Sequence, residues 1–93
     1  MAEYFFDASA IVKHYFAEPG SPWVRQLIDE WDDSDNVPVN GIYVSDTSTV
    51  EVPAAIAVLR RNNRLSKRRR DETVNTFFRD MGSRFEVVPV YPA

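Results

Sequence analysis

The sequence predicts an α/β fold built on a parallel sheet, and three observations carry that prediction. Short apolar runs at residues 4–6, 42–45 and 84–90 have the length and bulk of buried strands. The segments between them repeat apolar residues at helical spacing. The resulting order is strand, two helices, strand, two helices, strand, which implies parallel strands joined by right-handed crossovers. The expected architecture is a three-layer-type sheet of three strands with four helices, in a single domain over residues 1–93.

The first run, Tyr4-Phe5-Phe6, stops at Asp7, with Ser9 placed to cap the helix that follows. Ile11, Val12, Tyr15 and Phe16 form that helix's inner stripe, and Glu18-Pro19-Gly20 ends it. Lys13 and His14 fall off the stripe, so His14 reads as a solvated surface residue. Ser21-Pro22 reads as an N-cap with proline at the first helical position, followed by Val24, Leu27, Ile28 and Trp31 on one face. Residues 32–41, with their like charges and turn formers, read as an exposed loop. After the second strand, Val52, Ala55, Ile56 and Leu59 mark a third helix. Ser48-Thr49-Val50-Glu51 matches a capping box at its start, but Pro53 then falls where its missing N–H costs a bond. Leu65-Ser66 opens a fourth helix with Val74, Phe77, Phe78 and Met81 inside and Gly82 placed to end it. Its first turn, residues 67–70, is all basic, at the end of the helix dipole that disfavours cations.

The composition excludes several classes of protein. At 93 residues, with 44% hydrophobic and 13% aromatic side chains, the chain is globular in character and forms one domain at most. Cysteine is absent, so disulfide frameworks and thiolate zinc sites are excluded, and with no signal sequence a reducing cytoplasmic setting is expected. No apolar stretch approaches the roughly 20 residues of a membrane span. A net charge of -3 argues against general nucleic-acid binding, but bases concentrate at residues 60–70.

Parallel strands would bring Asp7, at the end of the first strand, and the turn carrying Asp46 and Glu51, after the second, to one rim of the sheet, where open α/β folds bind ligands. Carboxylates without His or Cys are the hard oxygen environment preferred by Mg²⁺ or Mn²⁺. Such ions promote phosphodiester hydrolysis, so nuclease chemistry is the natural reading. Capping alone also accounts for an Asp in this position.

As a set, Tyr4-Phe5-Phe6-Asp7-Ala8-Ser9-Ala10-Ile11-Val12-Lys13, Glu18-Pro19-Gly20-Ser21, Val44-Ser45 with Val50-Glu51-Val52, Arg64-Leu65-Ser66 and Phe85-Glu86-Val87-Val88-Pro89 resemble the PIN-domain family. Within it they resemble the ribonuclease toxins of VapBC toxin-antitoxin pairs. The resemblance implies an RNA-cleaving enzyme using Mg²⁺ or Mn²⁺, often dimeric and restrained by a cognate antitoxin. On it, Asp7 and Glu51 look like metal-binding carboxylates and Ser9 like a supporting hydroxyl. Arg60, Arg61, Arg64, Lys67 and Arg68 are then candidates to hold the RNA backbone. The family domain continues through a further helix, strand and acidic motif that have no match here. The first strand is therefore expected as an open sheet edge, inviting self-association as a homodimer. Two alternatives accompany this reading. One is a non-catalytic module that binds an antitoxin or itself. The other, a nucleotide-binding α/β domain, ranks last because no glycine-rich phosphate loop follows any strand.

Overall fold

Alternation along the strands decides how the sheet is built. The structure, a computed structural model, describes residues 2–62 and 64–89. Its elements are β1 (Glu3–Phe6), α1 (Ala8–Tyr15), α2 (Ser21–Asp29), β2 (Trp31–Asp32), β3 (Val37–Pro38), β4 (Gly41–Ser45), α3 (Ser48–Arg61), α4 (Lys67–Asp80) and β5 (Phe85–Val88). Phe6 in β1, Ile42 and Val44 in β4, and Phe85 in β5 are buried, while Glu3, Phe5, Glu86 and Val88 are exposed. Alternate residues of β1 and β4 therefore point into one core, as the pleat requires, while in β5 Phe85 alone does so and Val87 is exposed.

The main sheet has the order β1-β4-β5 with both pairings parallel, and β1 lies at its edge as expected. Both crossovers step the same way across the sheet, so right-handed connections lay all four helices on one face. The core shows this directly: Phe6, Ile42, Val44 and Phe85 pack with Ile11 and Val12 of α1, Val24 and Ile28 of α2, Val52 and Ile56 of α3 and Phe77 of α4. The described residues thus form two layers, one sheet and one set of helices, and the three-layer arrangement is corrected. Phe5 and Val88, apolar like the core residues of the strands, lie on the face without helices.

The helix starts also depart from expectation. Asp7, with extended backbone, caps α1 by accepting from the Ala10 N–H at 2.9 Å, and Ser9 instead donates to Asp7. Gly20, at φ 90°, is the residue flanking α2, so Ser21 is its first helical residue with Pro22 next. The buried Ser21 hydroxyl bridges the preceding turn, donating to the Phe16 carbonyl and accepting from the Glu18 N–H, both at 2.8 Å. Thr47 flanks α3 without a side-chain cap, and Ser48, already helical, is buried. The capping box therefore does not form: the Glu51 N–H is taken by the Thr47 carbonyl at 3.0 Å. Ser66 does cap α4, accepting from the Arg69 N–H at 3.1 Å.

Residues 32–41 are more ordered than a loop. Trp31, expected on the α2 stripe, opens the β2–β3 hairpin, whose register pairs Trp31 with Pro38 and Asp32 with Val37. Asp32 accepts from the Ser34 N–H at 2.9 Å, and Asn36 takes a positive φ of 56°, a left-handed conformation that Asn tolerates. Asn40 is buried and donates to the Leu27 carbonyl at 3.0 Å, and Arg84 donates twice to the Ile28 carbonyl. Together they satisfy carbonyls at the end of α2 that the helix itself cannot. On α4, Phe78 is exposed and Thr73 takes its place inside, its hydroxyl bonded to the Arg69 carbonyl. The third strand is shorter than expected, and Val90 lies outside the described residues.

α3 runs unbroken through Pro53, which cannot donate to the Thr49 carbonyl. Pro53→Ala restores that donor and improves helix propensity, offset in part by greater freedom of the unfolded chain. We expect stability to rise by about 1–3 kcal/mol, read as a higher urea midpoint at unchanged slope.

Candidate functional site

The parallel register Phe6↔Val44 places the next residues, Asp7 and Ser45, at the same rim of the sheet. β1 hands over directly to α1 there, and β4 leads through a two-residue turn into α3. The turn is fixed from both sides. Asp46 donates its N–H to the Val88 carbonyl of β5 at 3.0 Å, and its own carbonyl accepts from the Thr49 hydroxyl at 2.8 Å. The Ser45 and Thr47 hydroxyls share a hydrogen bond of 2.8 Å across it. That hydroxyl pair went unnoticed in the sequence, where Ser-Asp-Thr-Ser signals only a turn.

Asp7 is exposed, and both of its contacts fall on one oxygen. Oδ1 accepts from the Ala10 N–H and from the Ser9 hydroxyl, at 2.9 and 2.8 Å. Oδ2 takes no hydrogen bond among the described residues. The Ala10 N–H and then the Ser9 hydroxyl hold the Asp7 carboxyl below its ordinary value of 3.8, because both donate to the charged form. Asp7 is thus a helix cap with one oxygen to spare. Glu51 is exposed on α3, the residue before buried Val52, and α1 packs against α3. Among the described residues, no group of three or more His, Asp or Glu side chains could hold a metal ion. The oxygen donors are of the right kind for Mg²⁺ or Mn²⁺, and Asp7 and Glu51 are the exposed carboxylates that the strand and helix starts supply.

The basic residues divide by what they already contact. Arg60 donates to the Leu65 carbonyl, Arg68 pairs with Glu72 at 2.8 Å, and Arg70 pairs with Asp71 at 2.9 Å. Arg69 donates to the Tyr15 carbonyl and lies over the Phe16 ring. The acids following the basic turn therefore offset part of its cost to the helix. The exposed side chains of Arg61, Arg64 and Lys67 make no ion pair among the described residues, and so are the most available cations. Arg60 is nine residues beyond Glu51, about 14 Å along the helix at 1.5 Å per residue, which sets this cluster apart from the carboxylates.

His14 is not the solvated residue expected. It is half-buried, its ring edge-on to Tyr15 and to Phe85, and its Nδ1 is buried with no partner among the described residues. No local signal pointed to this, because Phe85 comes from the far end of the chain. Burial lowers the His14 pKa, with Arg25 and Arg84 acting in the same direction and Asp29 and Asp80 opposing. Beside it, the Tyr15 hydroxyl donates to Asp80, and burial with that carboxylate pushes its pKa far up.

Comparison with protein-family models, with curated proteins and with solved structures finds no match to this chain.

Two outcomes follow for the site. Asp7→Ala removes the cap and costs about 1 kcal/mol, whereas Asp7→Asn keeps an acceptor for Ala10 and leaves the thermal midpoint nearly unchanged. Because the folded carboxyl titrates below 3.8, its contribution is complete above that pH and is lost as pH falls through the folded value. For His14 the folded pKa is also depressed, so below about pH 6.5 the unfolded chain takes a proton that the folded one refuses. Stability is then full above that pH and declines below it, and His14→Gln should flatten the profile between about pH 7 and 5 in urea titrations.

Proposed function

We propose that this chain is a metal-dependent ribonuclease of the PIN type, acting on RNA phosphodiesters as the toxin of a toxin-antitoxin pair. The observation that supports this best is the division of labour within Asp7, whose Oδ1 caps α1 while Oδ2 is left for a ligand. The capping contacts themselves lower the Asp7 pKa, so the spare oxygen belongs to a carboxylate held in its charged form at an open rim. Asp7 Oδ2 and Glu51 would hold Mg²⁺ or Mn²⁺. When bound, such an ion supplies charge neutralisation at the phosphoryl oxygens.

The chain's own groups prepare the rest. Ser9 fixes the Asp7 carboxylate and keeps it ionised, so it enters the reaction without first losing a proton. Arg61, Arg64 and Lys67, with Arg60 and Arg68 beside them, would grip the RNA backbone away from the scissile bond, as phosphate contacts position a strand without reading its sequence. The cognate antitoxin of this reading would act by denying RNA this surface.

A second reading, a non-catalytic module that binds an antitoxin, is favoured by one observation: no three-residue metal cluster exists among the described residues. The two readings part on one experiment, incubation of a mixed RNA pool with the purified chain, with Mn²⁺ or Mg²⁺, a chelator control, and Asp7→Asn alongside. Hydrolysis that needs the ion and falls by a factor of about 100 or more in the folded Asp7→Asn chain, as loss of a metal-holding group predicts, supports the enzyme. A folded wild-type chain that leaves RNA intact selects the binding module.

A further inference from the structure

Parallel sheets are ordinarily covered on both faces, because their crossover helices lie over both. Here all four helices sit on one face, and the other is bare among the described residues. Its side chains are Glu3 and Phe5 of β1, Tyr43 and Ser45 of β4, and Glu86 and Val88 of β5, with the Tyr43 ring and the Glu3 side chain lying over Gly41. Phe5 is 62% exposed, far more than its inward neighbour Phe6 at 5%, and Val88 is 38% exposed beside Val87 at 36%, so apolar surface is left to water here. The charge on the face is of one sign. Glu3 and Glu86 stand on opposite edge strands, and no Lys or Arg occupies an outward position of the three strands. Between them the Tyr43 hydroxyl donates to Glu3 at 3.0 Å.

We propose that this bare face docks a basic amphipathic α-helix from another protein. The dimensions suit a single helix. Three strands spaced about 4.8 Å apart span about 10 Å between the outer axes, close to the 10–12 Å diameter of a helix with its side chains. An apolar stripe would lie on Phe5, Tyr43 and Val88, and lysines or arginines beside it would meet Glu3 and Glu86, which both lie toward the strand starts from that line. A groove of about 450 Å³ at the start of β4 and β5 shares Gly41 and Glu86 with this face and gives a bulky anchor side chain a place to enter. A second copy of the chain fits less well, because its own outward strand positions carry no Lys or Arg to meet Glu3 and Glu86. The docking face uses neither Asp7 nor Glu51, so it stands independently of the hydrolytic reading.

The test uses two fluorescein-labelled four-turn peptides, one an amphipathic Leu/Lys helix and the other its Leu/Glu counterpart, titrated with the whole chain and read by anisotropy. We expect the Leu/Lys peptide to bind tighter by about tenfold, within what two exposed ion pairs ordinarily supply. Amide shifts should map to Phe5, Tyr43 and Val88. Glu3→Lys with Glu86→Lys should reverse the preference, and Phe5→Ser should weaken binding of the basic peptide. Glu86→Lys alone leaves the Tyr43–Glu3 bond intact and narrows the preference even if the double variant does not fold. Equal binding of the two peptides, shifts confined to the helical layer, or a preference unmoved by Glu86→Lys would overturn the proposal. So would a dimer in sedimentation that Phe5→Ser dissolves, since the face would then belong to a second copy.

Discussion

The pairing of β1 with β4 is the constraint on which the rest of the structure depends. It is parallel, so the chain must cross over between the two strands, and α1 and α2 are the crossover. The same pairing brings the ends of both strands to one rim, where β1 hands over to α1 and β4 turns into α3. Repeating the step in the same direction from β4 to β5 lays the second pair of helices beside the first. One local choice of strand direction thus fixes the position of the carboxylates, the single core and the bare face together. The core that results is small, and its largest fully buried side chains are Phe77 and Phe85, contributed by the last helix and the last strand. The N-terminal elements therefore close only when the C-terminal ones arrive, which makes the fold dependent on contacts remote in sequence.

Polar groups at the opposite end of the helices hold the layers in register. Arg84 and Asn40 reach the last carbonyls of α2 from the turn before β5 and from the approach to β4, and Tyr15 joins α1 to α4 through Asp80. Each joins elements that are far apart in the chain and finishes a backbone or side-chain group that burial would otherwise leave unpaired. His14 sits among these groups with a ring nitrogen unmatched. The end of the molecule remote from Asp7 is therefore where protonation acts on stability just below neutral pH, whereas protonation of Asp7 acts only in acid, below its ordinary value of 3.8.

The helices and strands were legible because their apolar spacing is local. Val24 with Ile28, and Val52 with Ile56, announce their helices within a single turn, and Ser66 caps α4 where the sequence placed it. What could not be read depends on distant partners or on small differences between neighbouring oxygens. Whether Asp7 or Ser9 caps α1 turns on which side chain reaches the Ala10 N–H, and two good capping residues in close succession leave that open. The number of layers could not be read because Phe5 and Val88 are as apolar as core residues, and hydrophobicity carries no record of which face is covered. His14 looked solvated because its neighbours along the helix include Lys13, whereas its packing partner Phe85 lies in β5. The positions of Asp7 and Glu51 follow from strand and helix starts, whereas which oxygen of Asp7 stays free depends on the geometry of the cap.

The β2–β3 hairpin stands outside this interdependence. Among the described residues its strands pair only with each other, and its tip, residues 33–36, is exposed and made of acidic and turn-forming side chains. The base is secured separately, by the Asn40 bond to α2 and by the Val39 N–H on the Glu30 carbonyl. Added length at the tip would lengthen a closed loop whose ends are already held, and the entropic cost of that grows only slowly with the number of residues. The hairpin tip is thus a natural port for protein engineering, where a reporter or an affinity handle can be spliced into the middle of the chain while both the carboxylate rim and the bare sheet face stay clear.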